Sequence, residues 1–567
     1  MRDAKTAQPP SAVLPASKAE GAFLALAAGD ALGWPQELPR RVRDRKGIAS
    51  PSLEFRTWTR RSGDRFRPFD EIIQAGEYSD DTQLTLAVAR CRANHGEEWR
   101  DAFQRVELPR WTIYQRGGGG ATMRAARAWV GGGAPWLSGD PGEVHRYFHA
   151  GGNGVAMRVL PHALFLAGHD HPTDLLRDVV RDGAATHGHP RALVGATTWA
   201  YAAWSLVRLN RTLGFGELLD LLIDEHDSWG AFPDAERGGN KWLAAANLVF
   251  GESYQYVWER TVGEMRRLLE HARDGIRQGV LANDRAVLAD LGCFGKSKGA
   301  GTVTAAGAAY LAARHAAQPT QGVLRAAFEQ GADTDTLAAM TGGLLGCLAG
   351  DEWLPAPWRN VQDADYLRQI ADRVARGPAE TERRPVEQPV APQSILADLE
   401  RDGVQQLALG DFTRVKAVPL VEPRPASKSI SVRAWKLRTS AGQTLYVTKV
   451  YKLNRTTEIG RQGIDPTARQ LNLGDTGVQA SGVAAQATAR DVAETGVDST
   501  GALYSEFLRL LQLLLQARPR RPSEIEAALG LTRGQARVWL ARAQESGEIE
   551  RVSERPVRVA LRRKSPI

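Results

Sequence analysis

The sequence has few cysteines, with only three among 567 residues. Cys91, Cys293 and Cys347 lie far apart, and no two cysteines have the CxxC spacing of a zinc-binding or redox motif. Their neighbours are apolar residues or glycines, a setting that is typical of small buried side chains. This scarcity excludes a small disulfide-stabilised secreted scaffold and indicates a reducing, cytoplasmic environment.

Long apolar segments are missing as well. No stretch offers about 20 uninterrupted apolar residues, the length that a helix needs to span a bilayer. The beginning of the sequence, MRDAKTAQPPSAVLPASKAE, contains charged residues and prolines where a signal peptide has a continuous apolar core. We therefore expect a soluble cytoplasmic protein without a membrane partner.

The composition that is present is ordinary for a globular protein, with 43% hydrophobic and 24% charged residues. A chain of 567 residues exceeds the size that one hydrophobic core usually serves, so we expect two or more domains. The formal net charge is +8. Much of this excess lies at residues 518–567, which contain 12 basic residues and 6 glutamates.

Composition also divides the chain into segments. Residues 19–375 are rich in Ala, Leu and Gly and carry apolar residues at helical spacing, which predicts an all-helical domain. Alternating apolar and polar residues on both sides of Ser440, Ala441 and Gly442 predict a β-hairpin. The other predicted segments are a disordered amino terminus (1–18), a linker with four prolines (376–394), a small β-containing domain (395–454), a flexible segment (455–500) and a winged helix-turn-helix-like module (501–567).

Two acidic pairs stand at the start of apolar helices, in YSDDTQLTLAVARC at 78–91 and in GADTDTLAAMTGGLLG at 331–346. The polar residues concerned are Ser79, Asp80 and Asp81 in the first stretch, and Asp333, Asp335 and Thr336 in the second. Helix capping alone would explain either pair, because the free N–H groups and the dipole at a helix start favour negative charge. Two such pairs with flanking hydroxyl groups favour a single shared site.

A shared site of this kind would need a cation. Two carboxylates about 4 Å apart repel each other by roughly 4 kcal/mol at an effective dielectric constant near 20. The cluster would therefore have to take up protons or bind a metal ion. Oxygen ligands without a neighbouring His or Cys pattern select Mg²⁺, Mn²⁺ or Ca²⁺ over zinc.

Five motifs occur in the order of a known family. They are GDALGWPQE at 29–37, SDDT at 79–82, GGNGVAMR at 151–158, THGHP at 186–190 and DTDT at 333–336. Through them, residues 19–365 resemble the ADP-ribosylglycohydrolase family of dinitrogenase reductase-activating glycohydrolase-like enzymes, which remove ADP-ribose from modified molecules. Serine replaces the commoner threonine of the second motif but keeps the hydroxyl oxygen. Thr304 stands where the family usually has proline, which bears on the shape of that loop.

The resemblance implies an all-α, orthogonal helical bundle with two divalent metal ions at its centre, Mg²⁺ before Mn²⁺. The metal ligands that it implies are Ser79, Asp80, Asp81, Asp333, Asp335 and Thr336. The catalytic residues that it implies are Glu37, as general acid or base, together with Asp80 and Asp335. The residues that it implies for binding the phosphates and ribose are Gly151, Gly152, Asn153, Gly154 and His187.

Each of these roles has a plainer structural alternative. Glu37 would otherwise be an exposed loop acid, and the glycines at 151–154 would otherwise allow a tight turn and close helix packing. A single histidine such as His187 is more often a surface or structural residue, and only the order of the motifs favours a ligand role. For the glycine run at 117–120 the sequence predicts a rim loop without an assigned role.

Arginines lie along the second helix of the predicted carboxyl-terminal module and in the segment after it. They are Arg533, Arg537, Arg542, Arg555, Arg558, Arg562 and Arg563. Such a surface favours nucleic-acid binding by phosphate neutralisation, with protein docking as the alternative.

From these features we expect a metal-dependent hydrolase that cleaves the N- or O-glycosidic bond between ADP-ribose and a modified macromolecule or small molecule. Its carboxyl-terminal module would recruit nucleic acid or protein. The alternative is a non-catalytic ADP-ribose-binding regulator or scaffold with a nucleic-acid-binding winged helix.

Overall fold

The computed structural model describes most of the helical region and parts of the remainder. The described residues are 16–37, 50–64, 66–232, 240–386, 391–401, 415–420, 424–425, 430–452, 499–516, 518–529, 533–554 and 557–561. Contacts within the chain divide it into two units, Met1–Gln462 and Gly463–Ile567. The predictions for 1–15 and 455–498 fall outside the described residues, and the residues at 16–18 open the first helix.

Helices make up most of the first unit, which confirms the mainly α class. In chain order they are α1 (Ala16–Gly33), α2 (Asp80–His95), α3 (Trp99–Ala102), α4 (Leu108–Trp111), α5 (Gly120–Val130), α6 (Pro141–Phe148), α7 (Leu160–Phe165), α8 (Thr173–Ala184), α9 (Pro190–Arg208), α10 (Glu217–Asp224), α11 (His226–Trp229), α12 (Asn240–Phe250), α13 (Tyr254–Arg277), α14 (Asp284–Asp290), α15 (Gly301–Arg314), α16 (Pro319–Ala327), α17 (Thr334–Ala349), α18 (Ala364–Arg376) and α19 (Pro392–Glu400). Its strands are β1 (Trp58–Asp64), β2 (Arg67–Ile73), β3 (Val415–Leu420), β4 (Arg424–Pro425), β5 (Ile430–Thr439) and β6 (Thr444–Lys452).

The centre of this unit is a closely packed pair of helices, α1 and α17. Both consist largely of Ala, Gly and Leu, and nearly all of their residues are buried. A Cβ atom added to Gly342 would lie 2.3 Å from the carbonyl oxygen of Ala25, so only glycine allows this approach. At one end of the pair, the hydroxyl of Thr334 donates to the carbonyl of Gly33 at 2.9 Å. The end of α1 therefore lies beside the start of α17.

Further helices surround this pair. α9, α15, α16 and α18 pack next to α1 and α17, and α8 and α13 cover α9 and α15 from outside. The outer helix α13 shows the expected spacing of one buried face, with Val257, Thr261, Met265, Leu269 and Ala272 turned inward. The buried residues of these helices form one continuous apolar core.

The predicted hairpin around Ser440–Gly442 is confirmed, because β5 and β6 pair in antiparallel register. Gly442 has a φ of +104° in the turn, a conformation that favours glycine. The hairpin is bound to the helices through Gln443, which accepts from the guanidinium of Arg90 at 2.6 Å, and Thr444, whose N–H donates to Asp363 at 2.7 Å. The described residues between 395 and 452 belong to the same unit as the helices, whereas the sequence predicts a separate small domain at 395–454.

The predicted linker, 376–394, also contacts the helices. The N–H of Arg384 donates to the carbonyl of Asn94 at 2.9 Å. The carbonyl of Arg384 lies 2.7 Å from Nδ1 of His95. Val386 packs against the apolar cluster that α2 shares with β5 and β6. These contacts attach the proline-containing stretch to the carboxyl-terminal end of α2.

A second hairpin, β1 paired antiparallel with β2, was not predicted. Its sequence, WTRRSGDRFRPFDEII, contains so many charged residues that it lacks the alternation of apolar and polar residues that predicts a strand. β4 extends this sheet beyond β2. The hairpin lies between the first helix and α2 in the sequence and forms part of the surface described below.

The second unit contains three helices, α20 (Ser499–Gln516), α21 (Pro522–Leu529) and α22 (Arg533–Glu545), and an antiparallel pair of strands, β7 (Ile549–Glu554) and β8 (Val557–Leu561). Its own apolar cluster includes Phe507, Leu511 and Ile525. Of the predicted basic surface, the side chains of Arg537 and Arg542 are described. Those of Arg533, Arg555, Arg558, Arg562 and Arg563 lie outside the described residues.

Candidate active site

Two helix starts that are remote in the sequence meet at one cavity of about 270 Å³. α2 begins at Asp80, and Ser79 caps it by accepting a hydrogen bond from the N–H of Asp81 at 3.3 Å. α17 begins just after Asp333, with Asp335 in its first turn. The predicted site residues that line the cavity are Glu37, Asp80, Asp81, Gly152, Asn153, Gly154, His187, Asp333, Asp335 and Thr336. Ser79 and Gly151 are adjacent to this lining but are not part of it.

Asp30, a buried carboxylate of α1, holds the start of α2. Its oxygens accept from the N–H of Ser79 at 3.0 Å, from the N–H of Thr82 at 3.1 Å and from the hydroxyl of Thr82 at 2.6 Å. Because the first N–H groups of a helix have no partner within the helix, these bonds fix α2 against α1. Sequence analysis missed Asp30, although its signal was present in the GD that opens GDALGWPQE.

Burial raises the pKa of the carboxyl groups in the cavity. The pKa of Asp80 rises to about 7, first through desolvation and then through the charge of Asp30. Desolvation also raises the pKa of Asp81 and of Asp335 well above the usual range, and neighbouring carboxylates add to the rise. Oδ2 of Asp81 is buried and has no hydrogen-bond partner among the described residues. Such crowding disfavours the ionised forms, and a bound cation would favour them.

Glu37 lies at the rim of the cavity, close to the acids of α17. One oxygen each of Glu37, Asp333 and Asp335 lies within 4.8 Å of the other two. Although Glu37 is partly exposed, desolvation by the surrounding protein raises its pKa to about 8, and the charge of Asp333 contributes next. Glu37 therefore belongs to the acidic cluster and is not an isolated loop acid.

Lys298 is a second residue that sequence analysis missed. Its Nζ lies 3.7 Å from Oε1 of Glu37 and 3.6 Å from Oδ1 of Asp333, and it donates to the carbonyl of Ala332 at 3.2 Å. The ammonium group thus balances part of the negative charge at the rim. Lys298 is one of two lysines in GKSKG at 295–299, a stretch that belongs to none of the five motifs, so the motifs gave no reason to choose it.

The glycine-rich segment 151–154 is bound to the loop before α15. The N–H of Asn153 donates to the carbonyl of Gly299 at 2.9 Å, and the N–H of Gly301 donates to the carbonyl of Gly151 at 3.0 Å. The N–H of Asn153 is therefore used within the protein, and phosphate binding by the segment 151–154 stays a prediction.

The side chain of Asn153 is directed toward the acidic cluster instead. Its Nδ2 donates to Oδ2 of Asp333 at 2.7 Å and to the hydroxyl of Thr304 at 3.2 Å. Thr304, the residue that replaces the usual proline, thus takes part in positioning Asn153. Asn153 in turn holds one carboxylate of α17.

Comparison with known proteins places the chain in a family. The family model described as ADP-ribosylglycohydrolase matches residues 11–384, more than half of the chain. The chain belongs to the ADP-ribosylglycohydrolase family. The ADP-ribosyl-[dinitrogen reductase] glycohydrolase of Rhodospirillum rubrum is 34% identical over 178 residues, which are 30% of this chain and 52% of that protein. The chain therefore spans about half the length of this curated relative.

A solved structure named ADP-ribosylglycohydrolase-related protein complex is also similar. It is 24% identical, and the match covers 64% of this chain and 98% of that chain with a TM-score of 0.40. At this TM-score the likeness supports no further conclusion. The family assignment rests on the matched residues 11–384, which contain all five motifs.

In this member of the family a chain of hydrogen bonds ends at His187. The guanidinium of Arg158 donates to the hydroxyl of Thr186 at 2.9 Å, and this hydroxyl lies 2.7 Å from Nδ1 of His187. Nε2 of the ring faces the glycine-rich segment, where a Cβ added to Gly154 would lie 3.5 Å from it. Burial lowers the pKa of His187 to about 3, so the ring is neutral at physiological pH.

The glycine run that had no assigned role forms part of the wall of the cavity in this family member. Gly117, Gly119 and Gly120 line it. Gly117 has a φ of +110°, and a Cβ on it would lie 2.6 Å from Oδ1 of Asp80. Only glycine allows the backbone to pass this close to the carboxylate.

Proposed function

We propose that the chain is a glycohydrolase that depends on divalent cations and releases ADP-ribose from a modified macromolecule or small molecule. The observation that carries this proposal is the convergence of Asp80, Asp81, Asp333 and Asp335 on one cavity, in which all but Asp333 are buried. The family assignment and the glycohydrolase from Rhodospirillum rubrum support the same activity.

The residues of the cavity fit divalent cations. Their donors are carboxylate and hydroxyl oxygens, which suit Mg²⁺ and Mn²⁺, and the buried Oδ2 of Asp81 has no partner among the described residues. The residues that would hold two such ions are Ser79, Asp80, Asp81, Asp333, Asp335 and Thr336. Bound cations would supply positive charge that orients the ribose hydroxyls and stabilises the charge that develops as the bond breaks.

Hydrolysis breaks the bond between the anomeric carbon of the ribose and the acceptor atom. Water adds to that carbon, and the acceptor gains a proton. Glu37 is the candidate for moving a proton, because its carboxyl group lies at the rim beside Asp333 and Asp335. Lys298, with its ammonium 3.7 Å from Glu37, would hold this carboxyl group over the cavity.

The diphosphate and the ribose would lie against the opposite wall. Gly152 and Gly154 leave space there, and the neutral ring of His187 faces the same space. A ring that carries its hydrogen on Nε2 donates one hydrogen bond to a phosphate or hydroxyl oxygen. Asn153 would act indirectly, by holding Asp333.

The test is release of ADP-ribose from substrates in which it is linked to arginine, to serine or to a terminal phosphate. We expect release with Mg²⁺, loss of release with a chelator, and recovery when Mg²⁺ is added back. Asp335→Asn should abolish release, and Asp372→Asn, at a surface position on α18, should leave it unchanged. Tight ADP-ribose binding without release from any substrate would instead favour the non-catalytic regulator.

For the second unit we propose recruitment of nucleic acid or protein. Its support is the order of elements, with α21 and α22 followed by the β7–β8 pair, and the exposed Arg537 on α22. Removal of residues 503–567 should reduce retention of duplex DNA or RNA on a filter while release of ADP-ribose from a small substrate continues. Unchanged retention of both nucleic acids would refute nucleic acid as the partner.

A further inference from the structure

A second, larger cleft of about 590 Å³ lies beside the acidic cavity. Its walls are the β1–β2 hairpin, the loop at 112–118, one side of α5 and the end of β6. Gly117 lines both the cleft and the acidic cavity. The two spaces are therefore neighbours across the backbone of one loop.

The charge of the cleft is opposite to that of the cavity. The basic side chains that line it are Arg60, Arg61, Arg67, Arg116, Arg127 and Lys449. Among the described residues of its lining, Glu71 is the single acidic one. The adjoining β5–β6 hairpin, residues 430–452, contains five basic residues and no acidic one in its sequence.

The basic residues at the inner end are fixed by the protein. Arg116 donates to Glu71 at 2.6 Å and to Glu77 at 2.7 Å, and all three side chains are largely buried. Arg60 lies 5.2 Å over the ring of Trp34, and the charges of the cavity acids Asp80 and Asp335 act on it. The cleft thus begins directly at the acidic cavity.

Two basic residues at the outer end, Arg61 and Lys449, take part in ion pairs that are accessible to solvent. Arg61 pairs with Asp70 at 2.9 Å, and their side chains are 56% and 44% exposed. Exposed pairs of this kind are weak because water screens the two charges, so a phosphate can replace the carboxylate with little loss. Lys449 pairs with Glu400 at 2.6 Å, at a side-chain exposure of 33%.

We propose that this cleft binds the backbone of a single-stranded nucleic acid that carries the ADP-ribose. The ADP-ribose would enter the acidic cavity, and the strand would pass over Gly117 and run along the cleft. This inference rests on the proposed glycohydrolase function and names the substrate class of that site. A positively charged groove beside a hydrolytic cavity selects a substrate whose acceptor is itself a polyanion.

Arginines and an aromatic ring together favour a nucleic acid over an acidic peptide. Five of the six basic lining residues are arginines, whose planar guanidinium pairs with two oxygens of a phosphate or of a carboxylate, so they select an anion. The aromatic ring is Phe66, which lies outside the lining of the cleft but on the turn of the β1–β2 hairpin that forms one wall, and it is 78% exposed. Exposed aromatic rings on basic binding surfaces stack on unpaired bases, which an acidic peptide does not offer.

The experiment uses the full-length chain and ADP-ribose attached to the terminal phosphate of either a mononucleotide or a single-stranded 12-mer. We expect the KM for the 12-mer to be about tenfold below that for the mononucleotide at low salt. The double variant Arg61→Gln/Lys449→Gln should remove this difference and leave kcat/KM for the mononucleotide unchanged. The salt dependence of the KM for the 12-mer should fall by about 0.7 in logarithmic slope per lost contact.

The matched control is Arg266→Gln/Arg277→Gln on α13, which also removes two ion-paired surface cations and should keep the preference for the 12-mer. Equal KM values for the two substrates in the unaltered chain, or an unaltered preference in the cleft variant, would overturn the proposal. Poly-glutamate that competes as strongly as an unmodified 12-mer would also overturn the proposal. If no substrate releases ADP-ribose, the proposed function fails. Fluorescence anisotropy with the unmodified 12-mer then tests the cleft alone. Weaker binding by the cleft variant than by the unaltered chain supports nucleic-acid binding in the cleft, and equal binding refutes it.

Discussion

At the scale of the residue, Asp30 and Asp81 show two uses of a buried carboxylate. Asp30 accepts hydrogen bonds from Ser79 and Thr82 and holds one helix start against another. Asp81, in the wall of the cavity, has an oxygen without a partner among the described residues. The first carboxylate positions the backbone, and the second is available to a cation.

Asp81→Asn should therefore stabilise the metal-free protein while removing its activity. Without metal, Asp81 either takes up a proton or stays charged among other acids, and both cost folding free energy that asparagine does not. Since the pKa of Asp81 is raised in the folded state, this cost is present above the usual aspartate pKa of about 4 and disappears as the pH falls toward it. Thermal unfolding in chelator at neutral pH should show a higher Tm by roughly 2 °C or more.

The same variant should lose the rise in Tm that Mg²⁺ gives the unaltered chain, and its release of ADP-ribose should fall by at least about 100-fold. A lower Tm in chelator, together with a normal response to Mg²⁺, would show that Asp81 is a structural cap and not a ligand.

Thr186 sets the orientation of the His187 ring hydrogen. The hydroxyl of Thr186 accepts from the guanidinium of Arg158, and its own hydrogen remains for a second partner. We predict that it donates to Nδ1 of His187, 2.7 Å away, which places the ring hydrogen on Nε2. Thr186→Val removes this donor and should raise KM about tenfold with little change in kcat, while Thr186→Ser restores both. Nitrogen-15 NMR of His187 should report a hydrogen on Nε2 in the unaltered chain and a mixture of tautomers in the valine variant. A single unchanged tautomer in the valine variant would contradict this chain of hydrogen bonds.

Prediction from sequence reached the acids of this site and the cavity residues that belong to the five motifs, but not Lys298 or the hydrogen bonds between remote segments. Asp80, Asp81, Asp333 and Asp335 are recognisable because each pair has hydroxyl neighbours at the start of an apolar helix. Lys298 has no such signature, and its role exists only because the loop before α15 lies against Asp333. The hydrogen bond from the N–H of Asn153 could not be predicted either, since its acceptor, the carbonyl of Gly299, is remote in the sequence.

At the scale of the element, helix starts were easier to predict than strands. The start of α2 carries a capping serine and two acids, which predict a helix start. In β1 and β2, arginines and acids interrupt the alternation of apolar and polar residues by which a strand is recognised. The unpredicted hairpin matters for function, because it forms one wall of the basic cleft. The close packing of α1 on α17 could be anticipated only as a run of small residues, not as a particular pair of helices.

Gly342→Ala should separate this pair. The added Cβ would meet the backbone carbonyl of Ala25 at 2.3 Å, and backbone cannot move aside as a flexible side chain can. We expect a loss of about 1–3 kcal/mol in the free energy of unfolding and weaker Mg²⁺ binding, because α1 holds the start of α2 through Asp30 and α17 carries the other acids of the cluster.

The control for this variant is Gly263→Ala on α13, where the nearest atom is the end of the Arg267 side chain at 3.7 Å. That change should raise stability by about 0.5–1 kcal/mol, since alanine favours a helix interior over glycine. Urea unfolding of both variants is the measurement. Equal stability of the two would mean that the approach of α1 to α17 is not close.

At the scale of the whole molecule, the site is a product of long-range packing. Its acids come from positions about 250 residues apart, and a pattern within one segment carries no information about which segments meet. The resemblance of five motifs to a family supplied that information in advance. No motif indicated that β5 and β6 pack against the helices, and the composition of that segment predicted a separate domain. Among the helices that the structure describes, none has the length and apolar character needed to cross a membrane.

A chain that ends at Gln462 should keep the Tm of the first unit and the release of ADP-ribose from a small substrate. A chain that ends at 386 should fail to fold, because Trp435 and Leu445 belong to the apolar cluster that also contains Leu84 and Trp111. Calorimetry of the two truncated chains is the measurement. Normal folding of the shorter chain would show that the hairpin is an independent domain after all.

The central claim is that acids from α2 and α17 hold divalent cations that the reaction requires. The most direct measurement is an anomalous difference map from crystals grown with Mn²⁺, combined with a release assay in chelator. The account predicts anomalous peaks between Asp80 and Asp81 on one side and Asp333 and Asp335 on the other, and no release in chelator. An empty map at this place, with ADP-ribose still released in the presence of chelator, would contradict it.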